Sequence, residues 1–265
     1  MELPLISCIM PTKNRRAFVA RSLRSFAEQD YPHKELIVVD DGDDLVVDLA
    51  SRYAHVRYLA PQYAHTVGAK RNIACEAARG EIICHWDDDD WYSPSRLSYQ
   101  VKPMLAGKAD ITGLHLRVVL DIQRMQGWQC ADSSAVLPGV DGMHYGTMLY
   151  RKQLWMNQAR FQDSPRGDDG SGFVRRLINL GASVCTLPCA GHHIYVRHGR
   201  NIWKYRPGER IGTETWERVA LEACVPAEEW LFYKDMHVRL TQRKPFSEKV
   251  APLQKRMRRA FVKRL

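Results

Sequence analysis

Four consecutive aspartates, Asp87 to Asp90, stand between an apolar run (Ile82, Ile83, Cys84) and the segment Trp91-Tyr92-Ser93-Pro94. The apolar run reads as a short buried strand, and Ser93 with Pro94 as the N-cap and first residue of a helix. The carboxylates therefore fall in a turn leaving a strand, facing solvent or a cleft rather than a core. Four adjacent negative charges repel unless a cation joins them, and hard oxygen ligands at this spacing suit Mg²⁺ or Mn²⁺ shared with substrate phosphates. The competing reading is a solvated acidic turn; Trp86 and Trp91 on either side favour metal binding. Cys185, Cys189, His192 and His193 offer two thiols and two imidazoles, but not at the spacing of a zinc finger, and zinc is not expected there. His85, between the buried run and Trp86, is expected to be a satisfied core group.

Elements that could position the quartet lie upstream. Leu5 to Met10 is an unbroken apolar run closed by Pro11-Thr12, the pattern of a buried parallel strand. Val19, Leu23 and Phe26 recur at helical spacing, with Tyr31-Pro32 ending the helix. Glu35 to Asp40 reads as a second strand, Val56 to Leu59 as a third, Gly68 to Ala78 as a helix stopped by Gly80, and Ile82 to Trp86 as a fourth strand. This alternation is that of an α/β domain with a parallel sheet, in which ligands gather at the carboxyl edge. Three strand ends then deliver Pro11-Thr12-Lys13-Asn14, Asp40-Asp41-Gly42 and Asp87 to Asp90 to one edge. Downstream, Ile111 to Asp121 reads as one or two strands, Gly127 to Asp141 as a loop-rich insert and Gly146 to Tyr150 as a strand. Asp168-Asp169-Gly170 opens a helix through Leu180, with Phe173, Leu177 and Leu180 on one face. Val184 to Leu187 is expected as the final strand. Thr213 to Cys224 reads as helical, as does the stretch from Pro226.

The 265 residues can bury a substantial core, and 45% hydrophobic with 26% charged content is ordinary for a soluble globular chain. No apolar stretch approaches the ~18 residues of a spanning helix, and the N-terminus does not read as a signal peptide. The seven cysteines look like reduced core residues, Cys8, Cys75 and Cys84 falling in apolar segments. The expected location is the cytoplasm. Net charge is +9, and Arg239 to Leu265 holds ten Lys or Arg against Glu248 alone, so the body is nearly neutral and nucleic acid is not its expected partner. In that tail Leu253, Met257, Phe261 and Leu265 recur every four positions beside basic residues. Such a helix suits the anionic inner face of a membrane, as a peripheral contact; a solvated helix, or one packed on its own domain, fits the same pattern.

With these segments in order, the chain resembles the family 2 glycosyltransferases of the GT-A fold. The resemblance rests on Ser7-Cys8-Ile9-Met10-Pro11-Thr12-Lys13-Asn14-Arg15, Val38-Val39-Asp40-Asp41-Gly42, Gly68-Ala69-Lys70-Arg71-Asn72 and Ala78 to Ile83, running on through Asp87 to Pro94. Arg166-Gly167-Asp168-Asp169 is similar to the family's acidic pair, usually Glu-Asp, and Tyr195 to Asn201 to its late histidine segment. What the resemblance implies is a nucleotide-diphosphate-sugar donor, Mn²⁺ or Mg²⁺, and inversion at the anomeric carbon. It implies that Pro11, Thr12, Asp41, Lys70, Arg71, Asp87 and Asp88 contact the donor, with Asp41 accepting from a pyrimidine base and Asp88 from the ribose. Asp89 and His198 would be metal ligands and Asp169 the general base. The base implied is uridine, thymidine making the same contact; the acceptor, a glycan, lipid-linked or small-molecule hydroxyl, stays open. Residues 1–205 would form the catalytic domain, 1–105 its donor half and 106–205 its acceptor half, with 206–265 a helical basic extension.

The chemistry needs both elements. A leaving diphosphate gains negative charge, which a cation offsets, and an acceptor hydroxyl must lose its proton to a carboxylate. Other readings of the same residues stand beside this one: Asp169 as a helix N-terminal acid, with Asp163 the reserve base; Asp41 as a turn residue; Arg71 as solvated; His198 as packed. Trp128, His144, Tyr145 and Trp203 could line an acceptor pocket or fill a core. A sugar-nucleotide nucleotidyltransferase is disfavoured because Pro11 to Arg15 lacks glycine, and a dinucleotide oxidoreductase because no GxGxxG follows a strand. A non-catalytic nucleotide-sugar or nucleic-acid-binding protein acting through the tail is the alternative outside catalysis.

Overall fold

The computed structural model describes residues 2–63, 65–131, 140, 142–157, 159–164, 170–204, 206–207 and 215–242. The amino-terminal part alternates β1 (Ile6–Thr12), α1 (Arg16–Ala27), β2 (Lys34–Asp40), α2 (Val47–Ala50), β3 (Val56–Leu59), α3 (Val67–Ala77) and β4 (Ile82–His85). These four strands pair in parallel in the order β4-β1-β2-β3. Successive side chains of a strand enter opposite layers. Cys8, Met10, Leu36 and Val38 accordingly pack with Val19, Leu23 and Phe26 of α1, while Ile9, Ile37 and Val39 pack with Ala74 and Cys75 of α3. Each such side chain taken from water contributes about 1.5–3 kcal/mol. Gly80 does not end α3, which stops at Ala77; it lets the chain pass close to β1, where a Cβ would lie 2.4 Å from the Leu5 carbonyl oxygen.

Next come β5 (Trp91–Tyr92), α4 (Arg96–Gln100), α5 (Lys102–Leu105), β6 (Ile111–His115), β7 (Val118–Asp121), β8 (Gln126–Cys130) and β9 (Met143–Arg151). After them run α6 (Lys152–Asn157), α7 (Ser171–Asn179), β10 (Val184–Leu187), β11 (His193–Arg197), β12 (Trp216–Val219) and α8 (Trp230–Gln242). β9 lies antiparallel between β4 and β6, completing a seven-stranded sheet in the order β10-β6-β9-β4-β1-β2-β3. A second, five-stranded sheet has the order β12-β8-β7-β11-β5. Its short edge strand β5 is the exit of the acidic turn, so the turn is tied to both sheets.

Several expectations are corrected. The helix after Pro94 starts at Arg96, because the Ser93 carbonyl accepts from the Arg96 N–H and closes a turn first. The expected insert from Gly127 contains β8, paired to β7 and β12; residues 132–139 and 141 lie outside the described residues. β10 is not the last strand: β11 and β12 follow it. Within the expected helix Thr213–Cys224, residues 216–219 are a strand that buries Trp216 and leaves Glu217 and Arg218 in water. Pro226 precedes a short 3₁₀ turn, Ala227–Glu229, before α8 begins. On α7 the buried face is Phe173, Val174 and Leu177, and Leu180 is exposed past the helix end. All seven cysteines are free thiols, with Cys8, Cys75 and Cys84 in the core. No helix among the described residues is long and apolar enough to cross a membrane, and the tail from residue 243 lies outside them.

Candidate active site

The exits of β1, β2 and β4 meet. Beyond β1, Asn14 adopts a left-handed φ of 54° and its Oδ1 accepts from the Asp43 (2.7 Å) and Asp44 (3.1 Å) N–H groups, fixing the exit of β2. Asp40 shapes the same turn by accepting from the Gly42 (2.9 Å) and Val46 (3.2 Å) N–H groups. Asp41 accepts from the Lys70 ammonium (2.8 Å) and the His65 N–H (2.7 Å), and Lys70 also donates to the Thr12 carbonyl (2.9 Å). Burial alone would raise the Asp41 carboxyl, but Lys70, the His65 N–H and Lys13 reverse it, and the group sits below the usual carboxylate range. Lys70 and Arg71 are both buried where α3, capped by the Thr66 hydroxyl, packs on the strand ends. Arg71 is thus not a solvated helix residue; it faces Asp87 at 3.4 Å.

The acidic turn is anchored before and after. Trp86 is fully buried and donates to the Ser22 hydroxyl (2.9 Å), and the Tyr92 hydroxyl accepts from the Asp87 N–H (3.0 Å). The quartet does not face one way. Asp87, Asp88 and Asp89 line a cleft of about 860 Å³, part of it open solvent, together with Pro11, Arg15 and Arg71. Asp90 turns from the cleft into the second sheet, where Oδ2 meets His193 Nε2 (2.9 Å) and Oδ1 accepts from the Val196 N–H (2.9 Å). Asp88 accepts from the Thr12 hydroxyl (2.6 Å) and from Arg15 Nη1 (2.7 Å). The same Arg15 nitrogen donates to Asp89 Oδ2 (2.8 Å), which also meets His198 Nε2 (2.9 Å). Gly146 of β9 closes the cleft, since a Cβ there would lie 2.5 Å from Asp87 Oδ2. Gly146→Ala should fold, displace Asp87 and lower kcat/KM for the donor by about 10- to 100-fold, read by initial rates beside a far-ultraviolet spectrum.

Burial together with three neighbouring carboxylates pushes Asp87 up to about 7, despite Arg71. Burial also raises Asp88 and Asp90. For Asp89 the burial effect is outweighed by Arg15 and His198, which bring it down to about 2, so this carboxylate stays ionised. His85 is only half satisfied: Nδ1 donates to the Tyr145 carbonyl (2.8 Å), while Nε2 has no hydrogen-bond partner. Burial, then Arg71, holds it neutral. Below the unfolded histidine value of about 6.5 the unfolded chain binds the proton that the folded one refuses, so stability is lost as pH falls, by at most about 1.4 kcal/mol per unit. Asp87 and Asp90, raised in the folded state, act in the opposite sense. His85→Asn keeps a donor for Tyr145, and comparing its denaturant unfolding with wild type at pH 7.5 and 5.5 isolates the histidine: wild type should lose about 1 kcal/mol more.

Asp89 Oδ2 and His198 Nε2 form an oxygen–nitrogen pair in which Asp89 lines the cleft and His198 is buried outside its lining, with Asn201 Nδ2 at 3.4 Å from the same oxygen. One or two protein ligands completed by phosphate oxygens is the usual provision for Mg²⁺ or Mn²⁺, so the residues fit such an ion. The thiol–imidazole cluster does not assemble: His192 Nδ1 meets the Ser93 hydroxyl (2.7 Å) and its ring stacks on Tyr99, while His193 is held by Asp90. Asp90, His144 and His193 do bring one ligand atom each within 4.8 Å of one another. Their imidazoles stack 4.9 Å apart at 24°, so the in-plane lone pairs of the two rings lie in nearly parallel planes.

The rest of the cleft is lined by Val67, His144, Tyr145, Gly146, Tyr195, Asn201, Ile202 and Trp203. Trp128 is not among the cleft's residues; it packs against the Leu116, Cys130 and Trp216 cluster. Asp163, the reserve base, is exposed and accepts from the Thr66 hydroxyl (2.6 Å). Asp168 and Asp169 lie outside the described residues; Gly170 has φ 104°, and a Cβ there would lie 2.9 Å from the Met148 Cε and 3.1 Å from the Tyr145 Cβ. Arg15 and Asn201 were within the quoted motifs without a role being read for them; Asp90's tie to His193 spans 103 positions and left no local signal.

Residues 7–151, more than half of the chain, match the family described as glycosyl transferase family 2. Over 110 residues the chain is 30% identical to the Escherichia coli UDP-Glc:alpha-D-GlcNAc-diphosphoundecaprenol beta-1,3-glucosyltransferase WfgD, covering 40% of this chain and 43% of that one. The chain spans less than half the length of curated relatives it matches, from 28% to 44%. Among solved structures, S. aureus TarS 1-349 in complex with UDP-GlcNAc superposes with a TM-score of 0.62 at 19% identity, over 76% of this chain and 61% of that chain. The mannosyltransferase PcManGT from Pyrobaculum calidifontis, in complex with GDP-Man and Mn²⁺, gives 0.60 at 21% identity, over 74% and 57%. These likenesses establish the GT-A fold.

Proposed function

From the premise that this chain belongs to glycosyl transferase family 2, we propose that it is an inverting, metal-dependent glycosyltransferase moving a sugar from a nucleotide-diphosphate-sugar to an acceptor hydroxyl. The observation that carries the reading is the continuous network Asp41–Lys70–Thr12–Asp88–Arg15–Asp89–His198, built at the ends of β1, β2, β4 and β11, with Arg15, Asp88 and Asp89 lining the cleft. Asp41 accepts from the base of the nucleotide, Lys70 holding it ionised and aimed. Pro11 and Thr12 form the floor beneath the nucleotide, Asp88 takes the ribose hydroxyls, and Arg71 keeps Asp87 in place beside the diphosphate. Asp89 and His198 hold Mn²⁺ or Mg²⁺, which when bound offsets the charge growing on the leaving diphosphate. Asp169 takes the acceptor proton; this rests on the motif. Trp203 and His144 offer flat faces to a sugar ring.

In this reading residues 1–105 hold the donor and 106–205 receive the acceptor, while in the 206–265 segment β12 completes the second sheet and α8 packs with Phe18 of α1. UDP is the nucleotide favoured, by the base contact of Asp41 and by the UDP-Glc and UDP-GlcNAc in the names of similar proteins. The diphosphoundecaprenol in a relative's name makes a lipid-linked acceptor the first to test, with the protein working from the cytoplasm at the inner membrane face. The experiment is release of nucleoside diphosphate from UDP-Glc, UDP-GlcNAc and GDP-Man with Mn²⁺. The proposal expects turnover of one donor that EDTA abolishes; no turnover of any, with or without a diphospholipid acceptor, would refute it.

A further inference from the structure

Arg15 stands where the acidic turn needs a positive charge. Its Nη1 donates at once to Asp88 Oδ1 (2.7 Å) and Asp89 Oδ2 (2.8 Å), and Nη2 donates to the Arg200 carbonyl (3.1 Å). The two carboxylates are almost wholly buried, whereas the arginine side chain keeps a quarter of its surface exposed on the cleft. Asp89 Oδ2, the oxygen that would meet a metal, is thereby capped by Arg15, His198 Nε2 and Asn201 Nδ2. A guanidinium and a divalent ion within about 4 Å of each other repel strongly at the dielectric of a protein interior. Both cannot sit on that oxygen.

Resting on the reading above, we propose that Arg15 is an internal counter-cation: it neutralises Asp88 and Asp89 in the donor-free protein and gives up Asp89 when metal and diphosphate enter together. Without it, adjacent buried carboxylates would face each other uncompensated. With it, an ion arriving alone must displace a hydrogen-bonded charge, whereas an ion arriving with a diphosphate brings negative charge to which the released guanidinium can turn. Its partial exposure on the cleft leaves room for that turn. The consequence is ordered loading, in which free metal binds weakly and the metal–nucleotide pair binds well.

The test is Mn²⁺ binding by electron paramagnetic resonance to the full chain, first alone and then with UDP. Arg15→Gln should bind Mn²⁺ alone about tenfold tighter than wild type or more, since the competing charge is gone. With UDP present that advantage should vanish or reverse. Arg15→Lys keeps the charge and should bind Mn²⁺ alone as weakly as wild type, and Arg15→Met replaces Arg15→Gln if the glutamine variant does not fold. Without metal the neutral variant should melt several degrees below wild type, and Mn²⁺ should close that gap. Equal Mn²⁺ affinity of wild type and neutral variant, or weaker binding by the variant, would overturn the counter-cation while leaving the metal reading intact. Absence of Mn²⁺ binding by every protein, even with UDP, would overturn both.

Discussion

Asp89→Ala should lower donor turnover by about 1,000-fold or more while the protein remains folded. Asp89 is the carboxylate that Arg15 and His198 together bring down to about 2, so it is ionised throughout the working range and available to a cation. Removing it takes away the metal-ligand candidate that lines the cleft and leaves His198 Nε2 and Arg15 Nη1 without their shared oxygen. The loss should appear in kcat as well as in KM, because charge on the leaving diphosphate grows during the reaction. Steady-state release of nucleoside diphosphate over a range of Mn²⁺ concentrations measures it. Extra Mn²⁺ should not rescue the variant, and a variant with near wild-type kcat would remove Asp89 from the metal site.

Asp169→Asn should lower kcat by about 100- to 10,000-fold with donor affinity unchanged. The amide keeps the shape of the side chain and loses only its capacity to take a proton. Unchanged UDP binding by calorimetry, set against lost turnover, separates a base from a donor ligand. The competing reading of Asp169 as a helix N-terminal acid makes the opposite prediction: a stability change of about 0.3–1 kcal/mol and little change in kcat.

Much of the donor side was legible because it depends on local pattern. Unbroken apolar runs ending in polar turns gave β1, β2 and β4, and parallel order puts all three ends on one edge. Val19, Leu23 and Phe26 gave α1 for the same reason. The second sheet was harder. Gln126–Cys130 and Trp216–Val219 are short strands rich in polar residues, and distant pairing makes them strands, the first with β7 and β12 and the second with β8. The orientation of the quartet was likewise set from afar, since what turns Asp90 inward is His193 and Val196 on β11, more than a hundred positions away. Arg15 shows the same limit: its residue type and place were visible, but its partners lie 73 and 74 positions on. Tyr145 and Gly146 enter the cleft because β9 runs antiparallel beside β4, a pairing that no local pattern encodes.

The most direct test is calorimetric titration of UDP into the protein with Mn²⁺ and then with EDTA. Binding at least tenfold tighter with Mn²⁺, an advantage erased by Asp89→Ala, is the result expected if the acidic turn and His198 hold the ion against the diphosphate. Equal UDP affinity in EDTA and in Mn²⁺ would contradict it.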